Sequence, residues 1–158
     1  MKLIEGRLEG QGLKVALVAA RFNEAVVNRL VEGARRCLRQ HGVAEEDIEL
    51  IWVPGSLEIP TVVAEVLARG GCDAVVALGA VIRGETPHFE YVSDGVSRGI
   101  TDLSRQHRVG IGFGVLTVNT VAQAEERAGG KLGNKGFEAA QTALEMTSVL
   151  RQLRRNGS

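Results

Sequence analysis

The residues best equipped for chemistry lie together in one stretch, Arg83-Gly84-Glu85-Thr86-Pro87-His88. A guanidinium, a carboxylate, a hydroxyl and an imidazole this close together make a loop that can hold an anion and move a proton. Thr86-Pro87 reads as an N-cap followed by proline at the first helical position, so the free N–H groups of that helix start could hold an anion, phosphate above all. His88 then falls in the first turn. There the helix dipole opposes an imidazolium and favours a neutral ring able to accept a proton, while Glu85 and Glu90 pull the other way. Taken alone, His88 would read as a surface histidine in a helix's first turn; its neighbours reverse that reading.

A second cluster is more ambiguous. Arg127 ends a short helix beside Gly129-Gly130-Lys131, with Lys135 nearby, and three cations at a glycine-rich turn could grip a phosphate. Cations are equally common at helix C-termini. His41 precedes a helix-stopping glycine and His107 lies in a turn, so both read as structural or solvated, as does the basic end Arg151-Gln152-Leu153-Arg154-Arg155. Cys37 and Cys72 lack the close spacing of a metal or redox pair and are expected to be buried and inert.

Apolar runs rich in β-branched residues alternate with segments of helical period, the pattern of parallel strands joined by crossover helices. Strands are predicted at Lys14 to Ala19, Ile48 to Val53, Ala74 to Ile82 and Val109 to Val118. The first helix carries Val26, Val27, Leu30, Val31, Ala34, Cys37 and Leu38 on one face, with Asn23 as N-cap and Gly42 as stop. The second carries Ile59, Val62, Val63, Val66 and Leu67, and the third Phe89, Val92, Val96, Ile100 and Leu103. A short helix around Val121 to Ala128 and a long one from about Asn134 to Leu153 complete the chain. Gly110, Gly112 and Gly114 share one strand face and should let a neighbour approach closely.

The expected fold is α/β: a three-layer, flavodoxin-like open sheet of four mainly parallel strands with helices on both faces. Leu3 to Leu8 is expected as an edge strand, added to this sheet or to a neighbouring subunit's. In such sheets ligands bind beyond the carboxyl ends of the strands, here the loops at Phe22, Ser56 and Gly84 to His88.

At 158 residues with 44% hydrophobic content, the chain fits a single domain, residues 1–158. Lys plus Arg and Asp plus Glu both total 19, so the charge excess that nucleic-acid binders use is missing. No stretch approaches the ~20 apolar residues needed to span a bilayer. A soluble, cytoplasmic protein is expected, with no nucleic-acid or membrane partner.

Four motifs in order carry a family resemblance: Ala20-Arg21-Phe22-Asn23, Val53-Pro54-Gly55-Ser56-Leu57-Glu58-Ile59-Pro60, the run Gly79 to Tyr91, and Arg127 to Gly136. The chain resembles the lumazine synthases. That resemblance implies condensation of 5-amino-6-(D-ribitylamino)uracil with 3,4-dihydroxy-2-butanone 4-phosphate to 6,7-dimethyl-8-ribityllumazine, releasing phosphate and water, with no metal or organic cofactor. It implies that Phe22 stacks on the pyrimidine, that Ser56, Leu57 and Glu58 hold the ribityl chain, and that Ala80, Val81 and Ile82 line the ring. It places Glu85 and Thr86 at the phosphorylated substrate, Arg127 on its phosphate with Lys135 assisting, and His88 as the proton-moving group. Phe113 would close the pocket from an adjacent subunit. Position 57 is often aromatic in this motif, and Leu57 offers no stacking face.

The resemblance further implies a pentamer. The short Gly129 to Gly136 turn resembles members that pack twelve pentamers into a 60-subunit icosahedral shell, for which riboflavin synthase is a candidate partner. The rival readings are an archaeal-type riboflavin synthase, disfavoured by the set Phe22, Glu58, His88 and Arg127, and a non-catalytic flavin-binding or shell protein, which would need no phosphate grip. An FMN carrier would need a Ser/Thr-rich loop after the first strand, where Ala20-Arg21-Phe22-Asn23 stands.

Overall fold

The computed structural model of the chain describes residues 1–157. Its elements run β1 (Val15–Ala20), α1 (Glu24–Gln40), β2 (Ile48–Val53), α2 (Ile59–Arg69), β3 (Ala74–Ile82), α3 (His88–His107), β4 (Gly110–Val118), α4 (Val121–Arg127), β5 (Ala128–Gly130), β6 (Gly133–Asn134) and α5 (Lys135–Asn156). The first four strands form one parallel sheet in the order β2-β1-β3-β4.

Both faces of the sheet are covered, which is why β1 and β3 are apolar throughout instead of alternating. Val15, Leu17 and Ala19 of β1 join Val76 and Leu78 of β3 in a core with Val27, Leu30 and Ala34 of α1 and Ala139, Ala143 and Leu144 of α5. Ala16, Val18, Val75 and Ala77 point the other way, onto Ile59 and Val63 of α2 and Val96 and Ile100 of α3. The bare glycine face of β4 has its neighbour in α5. A Cβ at Gly112 would collide with the carbonyl oxygen of Ala139, and one at Gly110 would stand 2.7 Å from that of Ala143.

The expected α/β sheet of four parallel strands is what the chain forms, with strand ends within one residue of those expected and the last helix running three residues further, to Asn156. The N-terminal segment adds no strand to that sheet, against the first of the two places expected for it. Residues 1–10 form no strand and join neither edge of the chain's own sheet. They run against α5 instead: Arg7 N–H donates to Ser148 Oγ (3.0 Å), Gln152 Nε2 donates to Glu5 O (2.8 Å), and Gly6 lies so close to Glu145 that a side chain would not fit. That anchoring carries the segment over a helix and away from the β2 and β4 edges.

Both predicted helix starts also need correction. Asn23 sits at the start of α1 in the left-handed region (φ 65°) and makes no side-chain cap; its Nδ2 donates to Ala80 O (2.9 Å) instead. The position before α3 is Pro87, not Thr86, and no side chain caps that helix. Cys37 is buried as expected, and burial pushes its thiol up to about 11. Cys72 is only half-buried, its Sγ donating to Ala74 O (3.0 Å). Among the described residues no helix is long and apolar enough to cross a membrane.

Candidate functional site

In this strand order the chain leaves β1 towards β2 on one side and returns to β3 on the other, so a crevice opens beyond the carboxyl ends of β1 and β3. A cavity of about 470 Å³ lies there. Larger hollows elsewhere, one between the N-terminal segment and the end of α5 and one along the outer face of α1, are lined largely by arginines and polar side chains away from these strand ends.

Three segments build the cavity. After β1, Arg21 N–H donates to Val53 O (2.7 Å) and Phe22 N–H to Pro54 O (3.1 Å), so the chain beyond β1 stays tied to the chain beyond β2. Phe22 is held there 71% exposed, an apolar ring that water would not choose and a flat ligand could cover. After β2, a single 3₁₀ turn, Ser56–Glu58, sets Ser56, Leu57 and Glu58 along the second wall. Ser56 is buried because β3 carries Gly79 opposite it, where a Cβ would stand 2.5 Å from the serine hydroxyl.

The end of β3 supplies the third segment, with Ala80, Val81 and Ile82 followed by Gly84, Thr86, His88, Phe89 and Val92. His88 is the first residue of α3. Beside it the Arg83 guanidinium hydrogen-bonds Glu90 (2.7 Å), which holds that carboxyl below the usual carboxylate range. The lining thus combines apolar side chains with a hydroxyl at Ser56, a carboxylate at Glu58 and an imidazole at His88.

The chain matches the model of the 6,7-dimethyl-8-ribityllumazine synthase family over residues 12–151. It is 51% identical over 154 residues to the 6,7-dimethyl-8-ribityllumazine synthase of Aquifex aeolicus (strain VF5), covering 98% of this chain and 100% of that protein. The chain belongs to the 6,7-dimethyl-8-ribityllumazine synthase family. Membership does not favour the riboflavin synthase, passive-binder and FMN-carrier readings.

Of the residues that the lumazine synthase resemblance singles out, Phe22, Ser56, Leu57, Glu58, Ala80, Val81, Ile82, Thr86 and His88 all line this one cavity. Glu85, Phe113, Arg127 and Lys135 do not. Glu85 is exposed beside the cavity's loop. Phe113 lies mid-strand on β4, in register with Ala77 and 40% exposed on the face away from α5. Arg127 donates to its own helix at Gln123 O (3.0 Å) and lies 3.8 Å from Glu126; Lys135 lies 3.8 Å from Glu138.

The cavity also includes Asn23, Pro54, Gly55, Gly84, Phe89 and Val92. Asn23 was hidden by its cap-like position, and only its bond to Ala80 reveals that it ties the β1 loop to the end of β3. Phe89 and Val92 share the helical stripe of α3 with core residues, and periodicity cannot separate the turn of that stripe that overhangs a crevice from those that bury.

Proposed function

We propose that this chain condenses 5-amino-6-(D-ribitylamino)uracil with 3,4-dihydroxy-2-butanone 4-phosphate in the cavity beyond β1 and β3. The observation that carries this assignment is the convergence of Phe22, Ser56, Glu58 and His88 on a single cavity in a chain of this family. Phe22 covers the pyrimidine, Ser56, Leu57 and Glu58 take the ribityl chain, and Ala80 to Ile82 border the ring. Glu85 and Thr86 meet the phosphorylated substrate, and no metal or organic cofactor takes part.

The amine attacks the ketone and expels water to give an imine, phosphate leaves, the product tautomerises, and the ribitylamino nitrogen closes the ring with loss of a second water. Holding two reactants in attack geometry supplies ~7 to 11 kcal/mol, whereas a placed acid–base group contributes ~100 to 10,000-fold. Positioning therefore carries most of the rate, with His88 moving protons between the steps.

Residues 1–158 act as one domain, and the domain is incomplete by itself. Phe113, Arg127 and Lys135 lie off their own chain's cavity, which supports their reaching the site of an adjacent subunit, Phe113 to close it and the two cations to hold the phosphate. A pentamer meets that need, and the short Gly129 to Gly136 turn supports a 60-subunit shell around riboflavin synthase, in the cytoplasm. Light scattering at the pentamer mass alone would discard the shell.

The assignment itself is tested by mixing purified protein with both substrates and following lumazine fluorescence and released phosphate together. Equal, enzyme-dependent appearance of both is expected. Tight binding of lumazine or riboflavin without product would replace it with a binding role.

A further inference from the structure

His88 sits on a poorly supported segment. Gly84 to His88 are exposed, α3 begins without a side-chain cap, and a Cβ at Gly84 would meet nothing within 4 Å. Burial does not hold this loop. Arg83 does. Its backbone N–H donates to Val118 O (2.9 Å), continuing the β3–β4 ladder past the Ile82–Val118 pair. Its guanidinium then makes three contacts: Nε donates to Asn119 Oδ1 (2.9 Å), Nη1 donates to Glu90 Oε1 (2.7 Å), and Cζ lies 4.5 Å from the centre of the Phe89 ring.

The far end of this clamp is itself fixed. Asn119 N–H donates to Gln123 Oε1 (2.7 Å), and Thr120 and Gln123 form a reciprocal capping box at the start of α4. The near end grips the two residues that directly follow His88. With each residue turning an α-helix by a fixed angle, pinning Phe89 and Glu90 sets the rotation of the first turn and thus the direction in which the His88 side chain leaves it. Arg83 does not line the cavity, and its guanidinium is engaged by Asn119, Glu90 and the Phe89 ring.

We propose that Arg83 is a positioning residue for the reaction, aiming His88 into the cavity by clamping Phe89 and Glu90 to Asn119. This rests on the reading of His88 as the proton-moving group. A planar fork reaching two acceptors while lying on a ring is a task for arginine, not lysine. Exposed ion pairs add little to global stability, so loss of the clamp should appear in turnover, not in folding.

The test compares four full-length proteins, each as it assembles: the natural chain, Arg83→Ala, His88→Ala and the double variant. Because a small misplacement of a reacting group costs up to ~100-fold, Arg83→Ala should lower kcat about tenfold, leave KM for the ribitylaminouracil within about twofold and barely move the melting temperature. Arg83→Lys should restore only part of the loss. In the His88→Ala background, Arg83→Ala should cost nothing further. Multiplying losses in the double variant would overturn the proposal, as would an unaltered kcat in Arg83→Ala when His88→Ala is slow. Natural kinetics in His88→Ala would sink the reading of the histidine itself, and this proposal with it. Should Arg83→Ala not fold, Glu90→Gln cuts one arm of the clamp and is read by the same comparison.

Discussion

The turn Ser56–Glu58 and the loop Gly84–His88 border the same cavity and are held in place by opposite means. Ser56 is 6% exposed, seated against Gly79 on a strand that is buried through almost its whole length. The loop is exposed from Arg83 to His88, with a surface arginine as its clamp. The first wall borrows the rigidity of the core and suits recognition. The second has little buried contact, so it can open at small cost to the fold, which suits a group that must meet successive intermediates. Substitutions in the first wall should therefore register in stability and substrate affinity, and substitutions in the second in turnover.

The sharpest break in that contrast would come from His88→Ala. Removing a proton-moving group while the binding wall stays intact should lower kcat by ~100-fold or more and leave KM for the ribitylaminouracil nearly unchanged, with measurable activity remaining. Steady-state kinetics with both substrates varied reads the two constants separately. A raised KM with natural kcat would place His88 on the binding side and dissolve the distinction between the walls.

Arg127→Ala should act on the other substrate. Loss of a charged hydrogen bond to phosphate costs ~1.5 to 3 kcal/mol, so KM for the butanone phosphate should rise by roughly 10- to 100-fold with kcat little altered. Since Arg127 does not line its own chain's cavity, His88→Ala and Arg127→Ala chains unfolded together and reassembled should, at low butanone phosphate, turn over faster than either variant alone. No recovery on mixing would return Arg127 to the site of its own chain.

Much of this was legible in the amino-acid sequence because the parallel sheet leaves a strong local signal. Ile48–Val53 and Ala74–Ile82 are found at their predicted bounds, the second because a strand covered on both faces reads as an unbroken apolar run, the first because its apolar residues stand between turn signals. Loops after β1, β2 and β3 could be assigned to one rim from topology alone. Contacts distant in sequence left no such signal. The Asn23 bond to Ala80, the Arg83 bond to Asn119 and the run of Leu3 to Leu8 over α5 each depend on how separate elements come together. The hairpin of β5 and β6 was hidden by its glycines, which read simply as a turn.

A pair of alanine substitutions probes the two walls directly. Gly79→Ala would force the Ser56 hydroxyl to turn away, and overpacking of this kind costs ~1 to 3 kcal/mol, so the melting temperature should fall and KM for the ribitylaminouracil should rise. Gly84→Ala adds a methyl group to open space in the loop, and stability should stay within ~0.5 kcal/mol of the natural chain. Equal losses in the two variants, read by thermal melts, would mean that the loop is as tightly packed as the turn.

The smallest effect expected belongs to Leu57, which is 49% exposed at the mouth of the rigid wall. A leucine there supplies apolar contact without a stacking face. Leu57→Phe would add one, and because an aromatic pair is worth ~0.5 to 1.5 kcal/mol beyond the area it buries, KM for the ribitylaminouracil should fall by a few-fold. The leucine already fills the space over Gly95 of α3, whose own Cβ would lie 3.0 Å from Leu57 Cδ1, so the larger ring would turn outward, into the mouth where the side chain is exposed. With the wall already fixed by the core, ordering the new side chain should cost little, and kcat should not change. If instead KM is unchanged and kcat falls, position 57 acts on the bound intermediates, and the rigid wall shares in turnover as well as recognition.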